Sequence, residues 1–257
     1  MSKLLNLRMT ETSRAQHLVR DGNRLDRDQF IDLTPVQQKA HFKEHGFLWV
    51  PDVVPADRID RLLTDLEAHE PRSSIEYSTE WPPPSAAELI TNHKLLTAVR
   101  ICIGEEVRFF KGVFGQWLNH GEETMKRGRQ TLHRDFDNDG EASPCWCNSA
   151  VYCLDLKPGS GPFWVVPGSQ RLPLSENGKE FEHLSDQALM LCARAGDVAL
   201  FHCLTVHAGG AMPDHRPRSS FFYSYRPADV RPAANMPPWP DEVVATASDR
   251  LRPLLAY

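Results

Sequence analysis

Apolar and polar positions change period part-way along this chain. Over residues 34–99 the apolar side chains recur at helical spacing, and from 107 onward they fall into short runs suited to strands. Thr34-Pro35 is a helix start, a capping hydroxyl followed by proline at the first helical position, and the helix is predicted to run to His45 and stop at Gly46. Phe47-Leu48-Trp49-Val50 reads as a short strand. Pro55 opens a second helix that aligns Ile59, Leu62, Leu63 and Leu66 on one stripe. Trp81-Pro82-Pro83-Pro84 reads as a stiff surface loop, and 89–99 as a third helix. Strands are then predicted over 107–118, 148–156, 163–166, 189–192, 198–203 and 219–225, separated by turns such as Lys157-Pro158-Gly159-Ser160-Gly161 and Pro167-Gly168-Ser169.

Residues 1–33 are polar and weakly periodic, an expected N-terminal arm in partial order. Residues 34–257 are expected to form a single domain, with the proline-rich segment 227–257 wrapping its surface. No internal repeat is visible. Helices first and many short strands after predict a mainly β core under an N-terminal helical layer. A closed or double-sheet roll is one way for such strands to bury one face and protect their edges.

Composition narrows the function classes. A chain of 257 residues with 41% hydrophobic content suits one large domain with a filled core. The net charge of −5 and pI near 6.1 leave no basic footprint, so nucleic acid is not an expected partner. No run of about 18 apolar residues predicts a membrane span, and Met1-Ser2-Lys3-Leu4-Leu5-Asn6-Leu7-Arg8 lacks the apolar core of a signal peptide. Most of the cysteines sit in apolar contexts, as reduced, buried thiols do, which predicts a cytoplasmic location. Cys145-Trp146-Cys147 has no second closely spaced pair to complete a zinc site. Gly159-x-Gly161 neither opens a helix nor reaches a third glycine, so a dinucleotide fingerprint is not supported. Monomer and homodimer both remain open.

The chemistry-bearing residues are His133-Arg134-Asp135 and, much later, His207. Two imidazoles and a carboxylate are the ligand set of a non-haem Fe(II) site with open coordination positions. His-x-Asp alone is a weak signal, and His120-Gly121-Glu122 has the same spacing. Context separates them. Thr131 to Phe136 reads as the end of an extended segment, where His133 and Asp135 share a face and Arg134 points the other way. His120 and Glu122 lie in a polar, turn-like stretch. His207 follows an apolar strand and is succeeded by Ala208-Gly209-Gly210, which leaves room beside a ring. His202, inside that strand, reads as structural. Asp137 and Asp139 near Gly140 read as a loop beside the site, and no downstream ligand series makes them a calcium loop.

Five segments in order resemble the phytanoyl-CoA dioxygenase family of Fe(II)/2-oxoglutarate oxygenases, over about residues 40–226. They are Phe42 to Val54, Gln130 to Asp135, Gly161-Pro162-Phe163-Trp164-Val165-Val166-Pro167-Gly168-Ser169-Gln170, Gly196-Asp197 through His207, and Arg216-Pro217-Arg218. Where the family usually has histidine after the signature serine, this chain has Gln170. The resemblance implies a double-stranded β-helix. It also implies Fe(II) on His133, Asp135 and His207, with 2-oxoglutarate and O2 at the remaining positions. Succinate and carbon dioxide would be released while a substrate C–H bond is oxidised, by default hydroxylated. Related halogenases replace the carboxylate ligand with a small residue, so Asp135 argues against halogenation.

The far carboxylate of 2-oxoglutarate needs a cation, best a forked guanidinium. Arg218 is chosen over Arg216 because it begins the next apolar strand and its offset from His207 resembles that of the family's cosubstrate arginine. Gln130 is a further cosubstrate candidate by analogy. Phe136, Trp117, Trp164 and Phe222 are candidate substrate walls. The expected function is a dioxygenase acting on a small molecule, with secondary-metabolite chemistry favoured over a fatty acyl-CoA because no basic cluster for a CoA tail is evident. An iron oxygenase without 2-oxoglutarate, a fatty acyl-CoA hydroxylase and an idle metal- or ligand-binding barrel are the alternatives.

Overall fold

A computed structural model describes residues 18–68, 75–76, 84–117, 121–135, 145–174, 181–212, 218–230 and 238–257. The chain enters through a small hairpin, β1 (Arg20–Asp21) and β2 (Arg24–Leu25), and then forms helix α1 (Pro35–His45). Thr34 and Gln37 make a reciprocal capping box at its start, and Gly46 ends it in the left-handed region at φ 78°. Next come β3 (Phe47–Val50), α2 (Ala56–Ala68) and β4 (Ile75–Glu76). The single helix expected over 89–99 is two, α3 (Pro84–Ile90) and α4 (His93–Ile103). Asn92 breaks the run: its side chain accepts from the Leu95 N–H and so starts a new helix.

The remaining elements are β5 (Val107–Trp117), α5 (Glu122–Arg127), β6 (Cys147–Tyr152), β7 (Phe163–Val165), β8 (Leu189–Leu191), β9 (Val198–His202), β10 (His207–Gly209), β11 (Arg218–Pro227) and α6 (Asp241–Thr246). The stretch read as turn-like after His120 is therefore the short helix α5, closed by left-handed Gly128.

Among the described residues the strands form two sheets. One runs β3-β9-β6-β11-β5-β4 and the other β1-β2-β8-β7-β10. The pairings are antiparallel apart from β2 with β8. The segment 129–133 extends the smaller sheet along β10, through bridges Arg129↔Gly210 and His133↔His207. This is the expected mainly β architecture, a double-stranded β-helix with a helical layer.

β11 shows how the layers divide. Phe221, Tyr223 and Tyr225 are buried on one face, and the hydroxyls of Tyr223 and Tyr225 donate to the carbonyls of Ala86 and Ile90 in α3. The alternate residues Arg218, Ser220, Phe222 and Ser224 turn to the other face, toward the space between the sheets. The C-terminal segment adds to the core: Leu254 and Leu255 are buried, and Trp239 stacks on Phe109 with ring centres 5.2 Å apart. Among the described helices none is long and apolar enough to cross a membrane.

Candidate active site

His133 and His207 face each other across the smaller sheet. Each donates its backbone N–H to the other's carbonyl, at 3.0 and 2.9 Å, and their rings lie 4.5 Å apart. Asp135 completes a cluster in which one ligand atom from each residue lies within 4.8 Å of the others. Its Oδ1 is 3.8 Å from His133 Nε2 and 3.4 Å from His207 Nε2. Two ligand atoms each about 2.1 Å from a shared ion are separated by roughly 3–4 Å, depending on the angle between them. The donor set therefore fits a metal of the Fe(II) type.

Backbone carbonyls set the state of both imidazoles. His133 Nδ1 is 2.9 Å from the Thr131 carbonyl, and His207 Nδ1 is 2.9 Å from the Thr205 carbonyl. A carbonyl can only accept, so each Nδ1 carries a proton and each Nε2 is the nitrogen turned to Asp135 and left for a metal. Asp135 is held as a carboxylate. Enclosure opposes its charge, but the His207 and His133 rings outweigh this and bring it down to about 2. Its Oδ2 accepts from Asn148 Nδ2 at 2.7 Å, and Asn148 Oδ1 accepts from Ser224 Oγ at 2.7 Å.

Two charged groups fix the segment that carries His133. Glu182 receives a forked pair of bonds from Arg129, both at 3.0 Å, and accepts the Leu132 N–H at 2.8 Å. Arg134 points away from the cluster, as alternation predicts. It donates to the Ser169, Leu172 and Pro173 carbonyls, and its guanidinium lies 5.1 Å over the Phe181 ring. Gly210 allows this close packing, because a Cβ there would meet Pro162 backbone at 2.6 Å.

A cavity of about 370 Å³ opens beside the triad. Arg218 lines it while only 4% exposed, and burial opposes its charge. Among the described residues no carboxylate meets its guanidinium. Nε has no partner and Nη1 reaches only the Gly161 carbonyl at 3.5 Å. Two hydroxyls on the same sheet face are also without partners, those of Ser220 and Tyr152, which are opposite one another in register on β11 and β6. Among the described residues the Arg218 Nε and these two hydroxyls are thus buried polar groups without a hydrogen-bond partner.

Gln130 lines the cavity and its Oε1 accepts the Gly209 N–H at 3.2 Å, so it also pins β10. Phe222 lines the cavity. Trp164 does not: it packs against the cluster of Leu132, Val166 and Phe181, while its strand neighbour Phe163 faces the cavity. The backbone of Trp117 pairs with Arg218, and Phe136, Arg216, His120, Asp137 and Asp139 lie outside the described residues. Glu122 of the rival motif sits exposed on α5, 2.9 Å from Lys126. His202 is structural, its Nδ1 accepting the Leu204 N–H at 3.2 Å.

Sequence reasoning missed Asn148, Ser224, Tyr152, Ser220 and Glu182. Ser220 had a signal, since it shares a strand face with Arg218 two positions away. The others act through strand register or through a loop contact that no local pattern encodes. Gln170, the departure from the family's histidine, caps α1 instead: its Nε2 donates to the Lys43 and Glu44 carbonyls at 3.1 and 3.3 Å.

Residues 42–219 match the family described as Phytanoyl-CoA dioxygenase (PhyH). The chain belongs to this family. Membership in the phytanoyl-CoA dioxygenase family makes it a dioxygenase-type enzyme. An ectoine dioxygenase of Sphingopyxis alaskensis is 23% identical over 242 residues, 76% of each chain. Dioxygenase af480 of Aspergillus fumigatus is 23% identical over 258 residues, 90% of this chain and 79% of its own. Among solved structures, the epimerase SnoN in complex with Fe3+, alpha ketoglutarate and nogalamycin RO is similar with a TM-score of 0.64, at 22% identity over 85% of this chain and 93% of SnoN. HygX from Streptomyces hygroscopicus with iron bound gives 0.59 at 19% identity, over 75% of this chain and 87% of HygX. At these identities the structural likenesses establish the shared fold.

Proposed function

We propose that this protein is an Fe(II)- and 2-oxoglutarate-dependent dioxygenase that oxidises, by default hydroxylates, a C–H bond of a small molecule, with residues 34–257 as its catalytic domain. The observation that carries the reading is the convergence of His133, Asp135 and His207 beside a cavity that also holds the buried guanidinium of Arg218, which meets no carboxylate among the described residues. The metal, once bound with 2-oxoglutarate and O2, supplies the oxidant, and the cosubstrate leaves as succinate and carbon dioxide.

The chain's own residues do the rest. Thr131 and Thr205 carbonyls fix a proton on each Nδ1 and leave each Nε2 as the nitrogen for the metal. Asn148, itself held by Ser224, fixes one oxygen of Asp135 and leaves the other for the ion. Arg218, with the Tyr152 and Ser220 hydroxyls, receives the far carboxylate of 2-oxoglutarate. Phe163 and Phe222 line the cavity and limit water at the oxidising centre. A carboxylate in the position of Asp135 favours oxygenation over halogenation. Secondary-metabolite chemistry is supported by similarity to SnoN and to SnoK, a carbocyclase from nogalamycin biosynthesis. Among the described lining residues only Lys111 and Arg218 are cationic apart from the histidines, which does not suit a CoA phosphate tail.

The test has two arms. Turnover of a substrate is expected to release succinate in equal amount, and an oxidised product without succinate favours an oxygenase that does not use 2-oxoglutarate. Arg218→Ala is expected to weaken 2-oxoglutarate binding by about 1.5–3 kcal/mol, the range for hydrogen bonds to charged groups, or roughly 10- to 100-fold in Kd. Arg218→Lys keeps the charge but loses the fork, so partial recovery is expected. Equal binding by wild type and Arg218→Ala would remove the cosubstrate role.

A further inference from the structure

Four side chains flank the two histidines of the triad: Leu132 and Arg134 beside His133, and Val206 and Ala208 beside His207. Alternation turns them away from the cluster, and all four are buried. They converge on one segment. Leu132, Val206 and Ala208 pack in a single cluster with Phe181, Leu184 and Ala188, and the Arg134 guanidinium lies over the Phe181 ring. Residues 181–188, which include the 3-10 helix Glu182–Gln187, thus back both histidine-bearing segments from outside the cavity.

The two histidines depend on that backing unequally. The His207 side chain is 7% exposed and lies beside Phe201 and Phe163, so core packing holds it. The His133 side chain is 45% exposed, and among the described residues the one ring it meets is that of His207. Its place is set by its backbone instead. The segment 129–133 lies at the edge of the smaller sheet and bonds to β10 through the Gln130 and His133 N–H groups. The Leu132 N–H, next to His133, has no strand to bond among the described residues, and an N–H left unpaired there is costly. Glu182 Oε1 takes it at 2.8 Å. Arg129, four residues before His133, grips both Glu182 oxygens in a fork and so fixes the direction of the carboxylate.

We infer that Glu182 is a positioning residue for the metal: through the Leu132 N–H it sets where the His133 imidazole stands, and its loss loosens metal binding without removing a ligand. The inference rests on the reading of His133, Asp135 and His207 as the ligands, and it adds a determinant that does not line the cavity. Partners that orient a metal ligand typically change affinity about 10- to 100-fold. Glu182 acts one backbone step further out, which puts its effect at the lower end of that range.

The experiment titrates Mn(II) into the full-length protein by calorimetry, without oxygen and below the melting temperature of each variant. Glu182→Gln keeps the size of the side chain but loses its charge, and is expected to weaken Mn(II) binding roughly tenfold. Glu182→Asp restores the carboxylate and is expected to recover part of the loss. Leu62→Ala is the control, a core truncation in α2, which packs on α3. Its melting temperature is expected to fall, while its Mn(II) Kd stays at the wild-type value. If Glu182→Gln does not fold, Arg129→Lys decides, since it keeps a cation but opens the fork; it is expected to weaken Mn(II) several-fold. A wild-type Kd in Glu182→Gln, or in Arg129→Lys standing in for it, overturns the inference. So does an equal loss of affinity in Leu62→Ala, which would make the effect one of general stability. Failure of the metal reading appears separately, as wild-type protein that binds no Mn(II).

Discussion

His207→Ala and His133→Ala are each expected to abolish Fe(II) binding and turnover. Loss of an outer partner of a metal ligand already lowers affinity roughly 10- to 100-fold, and loss of the ligand itself exceeds that. His207 is the more sensitive position. It is 5% exposed, and its ring lies 4.6 Å from Phe201 and 5.5 Å from Phe163, so packed rings hold its nitrogen in place and no neighbouring side chain described there replaces it. Anaerobic iron titration reads the result, with thermal unfolding of the apo proteins as the check that the fold persists. His120→Ala serves as the comparison and is expected to keep full iron content. Iron lost in His120→Ala but kept in His133→Ala would mean that the rival motif is the ligand.

The triad was legible because its chemistry is local. His133 and Asp135 are two residues apart, and the apolar run before His207 announces a strand whatever it pairs with. Most strands were legible too, since short apolar runs between glycine and proline turns leave little choice. What was not legible is register. Asn148 stands in a buried strand and has no visible reason to be polar until β6 is set beside β11 and Ser224 comes opposite it. Trp164 was named as a candidate wall, but Phe163 lines the cavity instead, for the same reason: three residues of β7 do not fix which face is inward. The helix break at Asn92 is a capping event inside an apolar stretch, which hydrophobic period alone does not detect.

Asp197→Ala is expected to destabilise the fold by about 3–5 kcal/mol, the scale for removing one partner of a buried ion pair. In the sequence Asp197 was a turn residue ahead of a strand. In the fold it is fully buried and accepts five hydrogen bonds. Arg27 supplies two at 2.9 Å, Trp49 Nε1 one at 3.1 Å, and the backbone N–H groups of Asp52 and Arg194 one each, at 2.9 and 3.0 Å. These tie the N-terminal segment, β3 and the turn before β9 to one carboxylate. They also hold Asp52 at φ 55°, a left-handed conformation unusual for a residue other than glycine. For a chain of this length the melting temperature should fall by roughly 10 °C, at about 2–4 °C per kcal/mol. The effect has a direction in pH. Burial opposes the charge on Asp197, but Arg27 and the two N–H groups prevail and depress its carboxyl below the ordinary value. A depressed carboxylate contributes stability above its unfolded pKa and loses it as pH falls through the folded one. Melting curves of wild type and Asp197→Ala should therefore differ most near neutral pH and converge on acidification. A gap that stayed constant into the acid range, or a variant that melted with the wild type at neutral pH, would show that the anchor lies elsewhere.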